Sequence, residues 1–175
     1  MRKLLNEELQ RLSVEDFKAH KKIPLVIVLD NVRSHLNVGS VFRTADAFLI
    51  ESIYLCGITG TPPHRDIHKT ALGSTETVEW FHYTYSVDAI HDLKSKGYKI
   101  VSIEQAERAV MLNNFIPNKE EKYAVVFGNE VEGVEQQVVN ESDWVVEIPQ
   151  YGMKHSLNIA VSVGVVVWDW VNKLR

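Results

Sequence analysis

The sequence has little cysteine and no long apolar run, and both absences narrow its class. The single cysteine, Cys56, excludes a framework of disulfide bonds, and no Cys/His cluster has the spacing of a zinc site. No stretch is long and apolar enough to span a bilayer, and residues 1–10 mix charges with leucines and lack the apolar run of a signal peptide. These absences predict a cytoplasmic protein with neither a membrane nor a metal as partner.

An excess of positive charge is also absent. The 19 Lys and Arg residues are outnumbered by 23 Asp and Glu residues, which gives a formal net charge of −4. A protein without an overall basic field is not expected to bind DNA indiscriminately, although a local basic patch for RNA is compatible with this charge. With 175 residues, of which 45% are hydrophobic, the chain can bury one proper core.

Short apolar runs alternate with stretches of helical spacing along most of the chain. The continuous apolar run at 24–29 is typical of an interior parallel strand. The alternation predicts an α/β fold, a parallel sheet with helices on both faces. Strands are predicted at 24–29, 52–56, 77–81, 98–103, 123–127 and 145–148, and helices at 38–48, 64–72 and 86–96.

The two ends of the chain are also predicted to be helical. Residues 1–22 form a helical extension to the domain at 23–175, with leucines on one face and Ser13 capping a second short helix. The lysines of this extension fit either a solvated face or an arm that contacts RNA. The valine-rich segment 157–174 is too long for an ordinary strand, so we expect a helix that is buried nearly all round and covered by a second subunit.

Three stretches place polar groups just after apolar strands, at 31–45, 125–134 and 145–158. The carboxyl ends of parallel strands are where open α/β proteins bind ligands. In the third stretch a strand breaks at Pro149 and a helix starts near Ser156, which leaves backbone N–H and C=O groups free for a ligand. We therefore expect the chemistry at this edge.

Each polar residue of these stretches also has a purely structural interpretation. Asn37 is typical of a helix N-cap, and Arg43 of a surface ion pair. Glu130 fits a first-turn acid that complements a helix dipole as well as it fits a ligand contact. Ser156 fits a cap of the last helix, and Asn158 a local bond to the backbone. Two glycines, Gly128 and Gly133, would let the backbone approach a ligand closely.

Together, the three stretches resemble the three motifs of the SpoU branch of the SPOUT superfamily, the AdoMet-dependent RNA 2′-O-ribose methyltransferases. The motifs stand here as N-V-G-S-V-F-R-T-A-D-A-F, F-G-N-E-V-E-G-V and I-P-Q-Y-G-M-K-H-S-L-N-I-A-V-S, and the resemblance covers about residues 24–170. It implies a C-terminal trefoil knot, contrary to the usual rule that chains are un-knotted. It also implies a homodimer packed through the first and last helices, with the catalytic domain at 23–175.

The resemblance further implies the residues of the site. S-adenosyl-L-methionine (AdoMet) would be held by backbone at three loops, with adenine against apolar groups. The cofactor-binding residues are then Ser102, Ile103, Glu104, Phe127, Gly128, Asn129, Ile148, Gln150, Ser156 and Leu157. The catalytic set is Arg43, Asn37, Glu130, Ser156 and Asn158, and the RNA-binding set is Arg33, Arg65, Lys69 and Lys154.

Arg43 matches the arginine to which the family assigns activation of the ribose 2′-hydroxyl. A guanidinium is almost never a free base, so positioning the hydroxyl and stabilising the developing alkoxide is the easier role. The stretch H-K-T-A-L-G-S-T-E at 68–76 resembles the guanosine-2′-O enzymes of the family and favours tRNA guanosine, with rRNA as the alternative.

Other chemistries find less support. His155 beside Ser156 lacks an Asp to orient it as in a serine hydrolase. His64 and His68 have the four-residue spacing of metal ligands on a helix but lack a third ligand. A phosphate-binding enzyme would need the Walker lysine or a G-x-G-x-x-G, which are missing. A relative that holds RNA without methylating it remains an alternative, although an idle site has no need of the full polar set.

Overall fold

The fold is a single parallel sheet of seven strands, seen in a computed structural model that describes residues 1–9 and 11–175. Every pair of neighbouring strands runs parallel, in the order β3-β2-β1-β6-β4-β7-β5. All carboxyl ends therefore meet at one edge. The strands are β1 Ile23–Asp30, β2 Ile50–Cys56, β3 Glu79–Tyr83, β4 Tyr98–Ile103, β5 Val110–Met111, β6 Lys122–Phe127 and β7 Trp144–Glu147.

Seven α-helices in the described part of the chain connect and cover the strands. They are α1 Val14–Ala19, α2 His35–Ala47, α3 Arg65–Ala71, α4 Ser74–Thr77, α5 Ser86–Ser95, α6 Gln136–Glu141 and α7 Ile159–Leu174, with one 3₁₀ turn at Asn6–Glu8. The short elements α4, α6 and β5 were not predicted from the sequence, because two to six residues carry too little periodicity to be recognised.

Alternate residues of the central strands fill two cores, one on each face of the sheet. In β1, Leu25, Ile27 and Leu29 pack with residues of α2, α3 and α7, whereas Val26 and Val28 pack on the other face with residues of α5 and α6. Successive side chains of a strand point to opposite faces, and both faces are covered here. This explains why the run at 24–29 is apolar without alternation, and it confirms the predicted α/β architecture.

The strand order turns back on itself in the C-terminal half. β6 lies between β1 and β4, and β7 pairs on the far side of β4. α7 then returns to contact α2 on the other half of the sheet. As a result, the loops after β4, β6 and β7 lie side by side at the carboxyl edge, although the ends of β4 and β7, at Ile103 and Glu147, are 44 positions apart in sequence.

The N-terminal prediction was wrong in extent. Of the described residues in 1–9 and 11–22, only the 3₁₀ turn and α1 are helical. Ser13 does cap α1, because its hydroxyl accepts a hydrogen bond from the Asp16 backbone amide at 3.0 Å. The predicted apolar stripe of Leu5, Leu9 and Leu12 is exposed. A short helix without tertiary packing is marginal in water, and among the residues of this region whose burial is described only Phe17 is buried.

The last helix is present as predicted but is not buried all round. One face enters the core through six residues: Ile159, Val163, Val166, Val167, Trp170 and Val171. The opposite stripe, Val161, Val165 and Trp168, is 51%, 40% and 59% exposed. No helix in the described part of the chain is both long and apolar enough to cross a membrane.

Burial of Cys56 generates a testable prediction. Burial, and then the charge of the nearby Asp30 carboxylate, raises the pKa of the Cys56 thiol to about 12. Because only the thiolate reacts, Cys56 in the native protein should react with a thiol reagent at pH 8 at less than about one-hundredth of the rate of the unfolded chain. The rate of modification with and without denaturant measures this. Equal rates in both states would contradict the burial.

Candidate active site

Hydrogen bonds join the three polar stretches at one place. The side-chain amide of Asn37 donates a hydrogen bond to Glu130 Oε1 at 3.0 Å. The side-chain amide of Asn158 donates one to Asn37 Oδ1 at 3.3 Å. Asn37 is in the first turn of α2, Glu130 follows β6, and Asn158 precedes α7. Three of the five predicted catalytic residues therefore form one network, with Asn37 at its centre.

Neither Asn37 nor Ser156 is the helix cap that the sequence allowed. Ser34 caps α2, because its hydroxyl accepts a hydrogen bond from the backbone amide of Asn37. The side chain of Asn37 is therefore free to join the network. Asn158 caps α7 by accepting from the Ala160 amide at 2.9 Å. The side-chain oxygen of Asn158 therefore fixes the start of the helix while its nitrogen reaches Asn37.

The loop after β6 is closed upon itself. The backbones of Asn129 and Gly133 exchange hydrogen bonds of 3.2 and 3.1 Å, and Asn129 Oδ1 accepts from the amides of Val131 and Glu132. A Cβ on Gly128 would lie 1.9 Å from the carbonyl carbon of Gly133. The absence of a side chain at Gly128 therefore lets the loop approach itself closely, and Gly128 also lines the cavity described below.

Glu104 holds the same loop from the neighbouring strand. Its Oε2 accepts from the Val134 amide at 2.9 Å, and a Cβ on Gly133 would lie 2.1 Å from that oxygen. Gly133 also has a φ of +72°, which favours glycine. Glu104, a predicted cofactor contact, therefore also has a structural role, and Gly133 leaves room for its carboxylate.

A cavity of about 360 Å³ opens beside the network at the carboxyl edge of the sheet. Its volume is in the range of small-molecule sites. Nine of the ten predicted cofactor residues line it, namely Ile103, Glu104, Phe127, Gly128, Asn129, Ile148, Gln150, Ser156 and Leu157. Ser102 is the exception: it is fully buried and its hydroxyl is 2.8 Å from that of Ser142, so its side chain belongs to the core.

The lining of the cavity combines apolar groups with negative charge. Ile103, Phe127, Ile148, Leu157 and Ile159 supply an apolar surface. Four carboxylates, those of Glu104, Glu130, Glu132 and Glu147, also line it, whereas no Lys or Arg among the described residues does so. The cavity therefore suits a ligand that has a flat apolar group and a positive charge.

Several lining residues were missed by sequence reasoning. Glu132 lies two residues after the predicted Glu130, and Glu147 directly precedes the predicted Ile148. Their closeness in sequence to these residues is the signal by which they could have been found. In the sequence, His155 is notable only as the neighbour of Ser156 in a possible serine-hydrolase pair. In the structure, it lines the cavity. Ser162, one turn into α7, has no distinguishing pattern; only the course of the helix brings it to the cavity.

Arg43 lies apart from the cavity. It is exposed on α2 and lines a separate hollow with Ser40, Thr44, Ala47, Phe48, Lys69 and Thr70, none of which lines the cavity. Six residues along a helix correspond to a rotation of about 120° and a rise of about 9 Å, so Arg43 and Asn37 point in different directions. Within one chain, the structure does not bring these two predicted catalytic residues together.

The predicted RNA-binding cations lie on different loops and helices. Arg33 precedes α2, Arg65 and Lys69 lie on α3, and Lys154 lies in the loop before α7. All four are exposed, and only Lys69 lines the hollow of Arg43.

His64 and His68 do not share a metal site in the structure. The His64 ring stacks on that of His35 at 3.8 Å between centroids, and its Nδ1 accepts from the Asp66 amide. Within the described residues, no group of three or more Asp, Glu, His or Cys residues has an arrangement that could hold a metal ion.

Comparison with known proteins places this arrangement in a family. The model of the SpoU rRNA Methylase family matches residues 24–168, which include all three polar stretches. The tRNA (guanosine(18)-2′-O)-methyltransferase of Borreliella burgdorferi is 30% identical over 86% of this chain and 67% of its own length. The 23S rRNA (guanosine-2′-O-)-methyltransferase of Neisseria meningitidis serogroup B is 28% identical over 82% of this chain and 56% of its own length.

A solved structure agrees in fold. The AdoMet-bound rRNA methyltransferase from Sinorhizobium meliloti superposes with a TM-score of 0.81 at 24% identity, covering 96% of this chain and 63% of that chain. The parallel sheet and its strand order are thus those of the SPOUT fold, and the trefoil knot is implied by that fold. The chain belongs to the SpoU rRNA methylase family, the RNA 2′-O-methyltransferases whose cofactor is S-adenosyl-L-methionine.

Proposed function

We propose that this protein transfers a methyl group from AdoMet to the 2′-hydroxyl of a guanosine in tRNA. The observation that supports this most strongly is the network of Asn37, Glu130 and Asn158 at the rim of a cavity of suitable size and charge. Both relatives described above are named guanosine-2′-O enzymes, one acting on tRNA and the other on 23S rRNA. Methylation of rRNA is therefore the second candidate.

The cavity fits AdoMet in its chemistry. The apolar side chains Ile103, Ile148 and Leu157 suit adenine, and the backbone at the ends of β4 and β6 offers donors and acceptors to its edge. AdoMet has a positive sulfonium and a positive ammonium group, and the four carboxylates of the lining complement both. When bound, AdoMet supplies the methyl group of its sulfonium.

The residues of the chain then orient the ribose, whose 2′-hydroxyl proton passes to a neighbouring RNA phosphate as its oxygen accepts the methyl group. Asn37 and Asn158 hold Glu130 and the loops at the rim, so that the 2′-hydroxyl is placed with little reorganisation. Arg43 orients the hydroxyl and stabilises the negative charge that develops on its oxygen, because a guanidinium donates hydrogen bonds and retains its charge. Ser156 lines the cavity and contributes to the positioning of the third loop.

Arg43 reaches the cavity of a second subunit in this proposal. The exposed stripe of α7, Val161, Val165 and Trp168, adjoins α2, since Trp168 packs edge-on against Phe48 with 6.0 Å between ring centroids. Phe48 also lines the hollow that contains Arg43. A homodimer that buries this apolar stripe therefore places Arg43 at the interface.

RNA binding is assigned to the exposed cations around the site. Lys69 lies in the hollow of Arg43, Arg65 is one turn away on α3, and Arg33 and Lys154 lie on loops of the carboxyl edge. They would contact phosphates, which position an RNA without reading its sequence. The acidic remainder of the protein keeps this contact local.

The direct test is transfer of labelled methyl from AdoMet to unmodified tRNA and, separately, to undermethylated rRNA. The proposal predicts label at one guanosine of tRNA, and the nucleotide should resist alkaline cleavage because its 2′-hydroxyl is blocked. Label confined to rRNA would establish the second candidate instead. Absence of label from both pools, despite AdoMet binding, would contradict the proposed activity.

The same assay tests Arg43. Arg43→Ala should lower kcat/KM by about 10²- to 10⁴-fold, since it removes a donor that acts on developing charge, and should leave the Kd for AdoMet unchanged. Lys119→Ala is the matched control: Lys119 is an exposed cation near the amino end of β6, away from the site. Full activity of the Arg43 variant would remove Arg43 from the mechanism.

Gly128→Ala tests whether the closed loop forms the cofactor site. The added Cβ would overlap Gly133, so the loop must open, and we expect the Kd for AdoMet to rise at least tenfold and stability to fall by about 1–3 kcal/mol. Gly152→Ala is the control, because a Cβ there meets nothing within 4 Å and Gly152 does not line the cavity. Calorimetric titration measures the Kd; an unchanged value in both variants would place AdoMet elsewhere.

A further inference from the structure

A second cleft lies on the same edge of the sheet, on the other side of the loop after β6. It has a volume of about 770 Å³ and is formed by the chain after β1, β2 and β3 and by the start of α6. Asn129, Glu132 and Gly133 line both this cleft and the cofactor cavity. The two sites therefore share one wall, and a ligand that occupies the first can extend into the second.

A buried carboxylate builds the floor of the cleft. Asp30 is only 1% exposed, and its Oδ1 accepts hydrogen bonds from the side-chain amide of Asn31 at 2.8 Å and from the Ser86 hydroxyl. Its Oδ2 accepts from the Glu135 amide at 2.7 Å. Asp30 thus joins the ends of β1, the start of α5 and the start of α6, and its charge is used within the protein rather than offered to a ligand.

The rim on the other side is fixed in a similar way. Asn31 Oδ1 accepts from the Ile58 amide at 3.1 Å, and a Cβ on Gly57 would lie 2.0 Å from that oxygen. Asn31 has a φ of +55° and Gly57 a φ of +62°, so both turns are tightly specified. The cleft is therefore preformed, which lowers the cost of binding.

Three kinds of side chain at this cleft have no partner within the described residues. The Tyr85 ring is 68% exposed, and its hydroxyl makes no hydrogen bond. Arg33 forms no ion pair, and the exposed carboxylates of Glu132 and Glu135 accept no hydrogen bond, over the same described ranges. In nucleic-acid recognition, an aromatic ring stacks on a nucleobase and a guanidinium binds a phosphate. A carboxylate accepts hydrogen bonds from the amino groups at the edge of a base.

We propose that this cleft binds the nucleotide adjacent to the methylated one, with its base unpaired. Tyr85 stacks on the base, Arg33 contacts the phosphate, and Glu132 or Glu135 accepts from the base edge. This inference rests on the proposed function, because the shared wall matters only if an RNA ribose enters the first cavity. It identifies the substrate more closely, as a target nucleotide in a loop or other single-stranded segment, where bases can be splayed apart.

The test combines a change in the protein with a change in the RNA. The RNA that accepts methyl from the wild-type protein is prepared intact, or with an abasic ribose immediately 5′ or 3′ of the methylated nucleotide. Loss of stacking should raise the wild-type KM for one of the two abasic RNAs by about 5- to 150-fold. Tyr85→Leu should raise the KM for intact RNA by a similar factor, and the abasic change should then add less than about twofold. Tyr85→Phe, which keeps the ring, should retain most of the sensitivity to the abasic ribose.

Independent measurements separate this inference from simpler explanations. An unchanged Kd for AdoMet shows that Tyr85→Leu is folded, which is expected for an exposed ring that makes no side-chain cap for α5. Arg33→Gln should reduce the slope of log K for RNA against log salt by about one, whereas Lys119→Gln should not.

Either of two results would overturn the inference: a wild-type KM for Tyr85→Leu, or additive effects of the protein and RNA changes. A wild-type protein that transfers methyl to no RNA overturns the proposed function itself, and this inference with it.

Discussion

The structure of the site depends on the hydrogen bonds from Asn37 to Glu130 and from Asn158 to Asn37. They connect segments that are 93 and 121 residues apart in sequence, and they do so at the edge where the carboxyl ends of the strands meet. Each partner is fixed independently. Ser34 caps α2, Asn158 caps α7, and the loop of Glu130 is closed through Asn129. A preorganised rim of this kind reduces the rearrangement needed when a ribose is positioned.

The charges of the molecule are divided between two regions. The cofactor cavity is lined by carboxylates, while Arg43 and Lys69 occupy a hollow that shares no residue with it. A sulfonium and an RNA phosphate need environments of opposite sign, so the separation is physically reasonable. Under the proposed function, in which Arg43 acts on the ribose, one chain does not contain a complete site. The apolar stripe of Val161, Val165 and Trp168 beside this hollow is the surface through which a second chain would complete it.

Much of the fold could be predicted from the sequence because burial determines periodicity. The central strands are covered on both faces, so residues 24–29 of β1 form a continuous apolar run, and the observed β4 has the predicted bounds. The N-terminal helix could not be judged in the same way. Its leucines have helical spacing but meet no surface, and spacing alone does not show whether a partner surface exists.

The site was predictable in its residues but less so in their roles. Asn37 and Ser156 are plausible caps by sequence, yet Ser34 and Asn158 are the caps, and the choice is made by turns that no local pattern specifies. Ser102 and Ile103 are neighbours at the end of β4 and were both predicted to bind the cofactor. Successive side chains of a strand point to opposite faces, so the side chain of Ser102 is buried in the protein. No sequence pattern distinguishes Tyr85, because it follows a short edge strand, and only the strand order brings it to the cleft that Arg33 also lines.

Whether Arg43 of one subunit acts at the cofactor cavity of the other is tested most directly by mixing Arg43→Ala with Gly128→Ala. The assay uses an AdoMet concentration well below the Kd of the Gly128→Ala variant, so that each variant alone transfers little methyl. Arg43→Ala and Gly128→Ala subunits are assembled separately and as an equal mixture. Random pairing makes about half of the dimers mixed. If Arg43 acts across the dimer, each mixed dimer has one complete site out of two, so the mixture should regain about a quarter of the wild-type methyl transfer. If the mixture stays as inactive as its parents while mixed dimers are shown to form, Arg43 acts within its own chain and the account is contradicted.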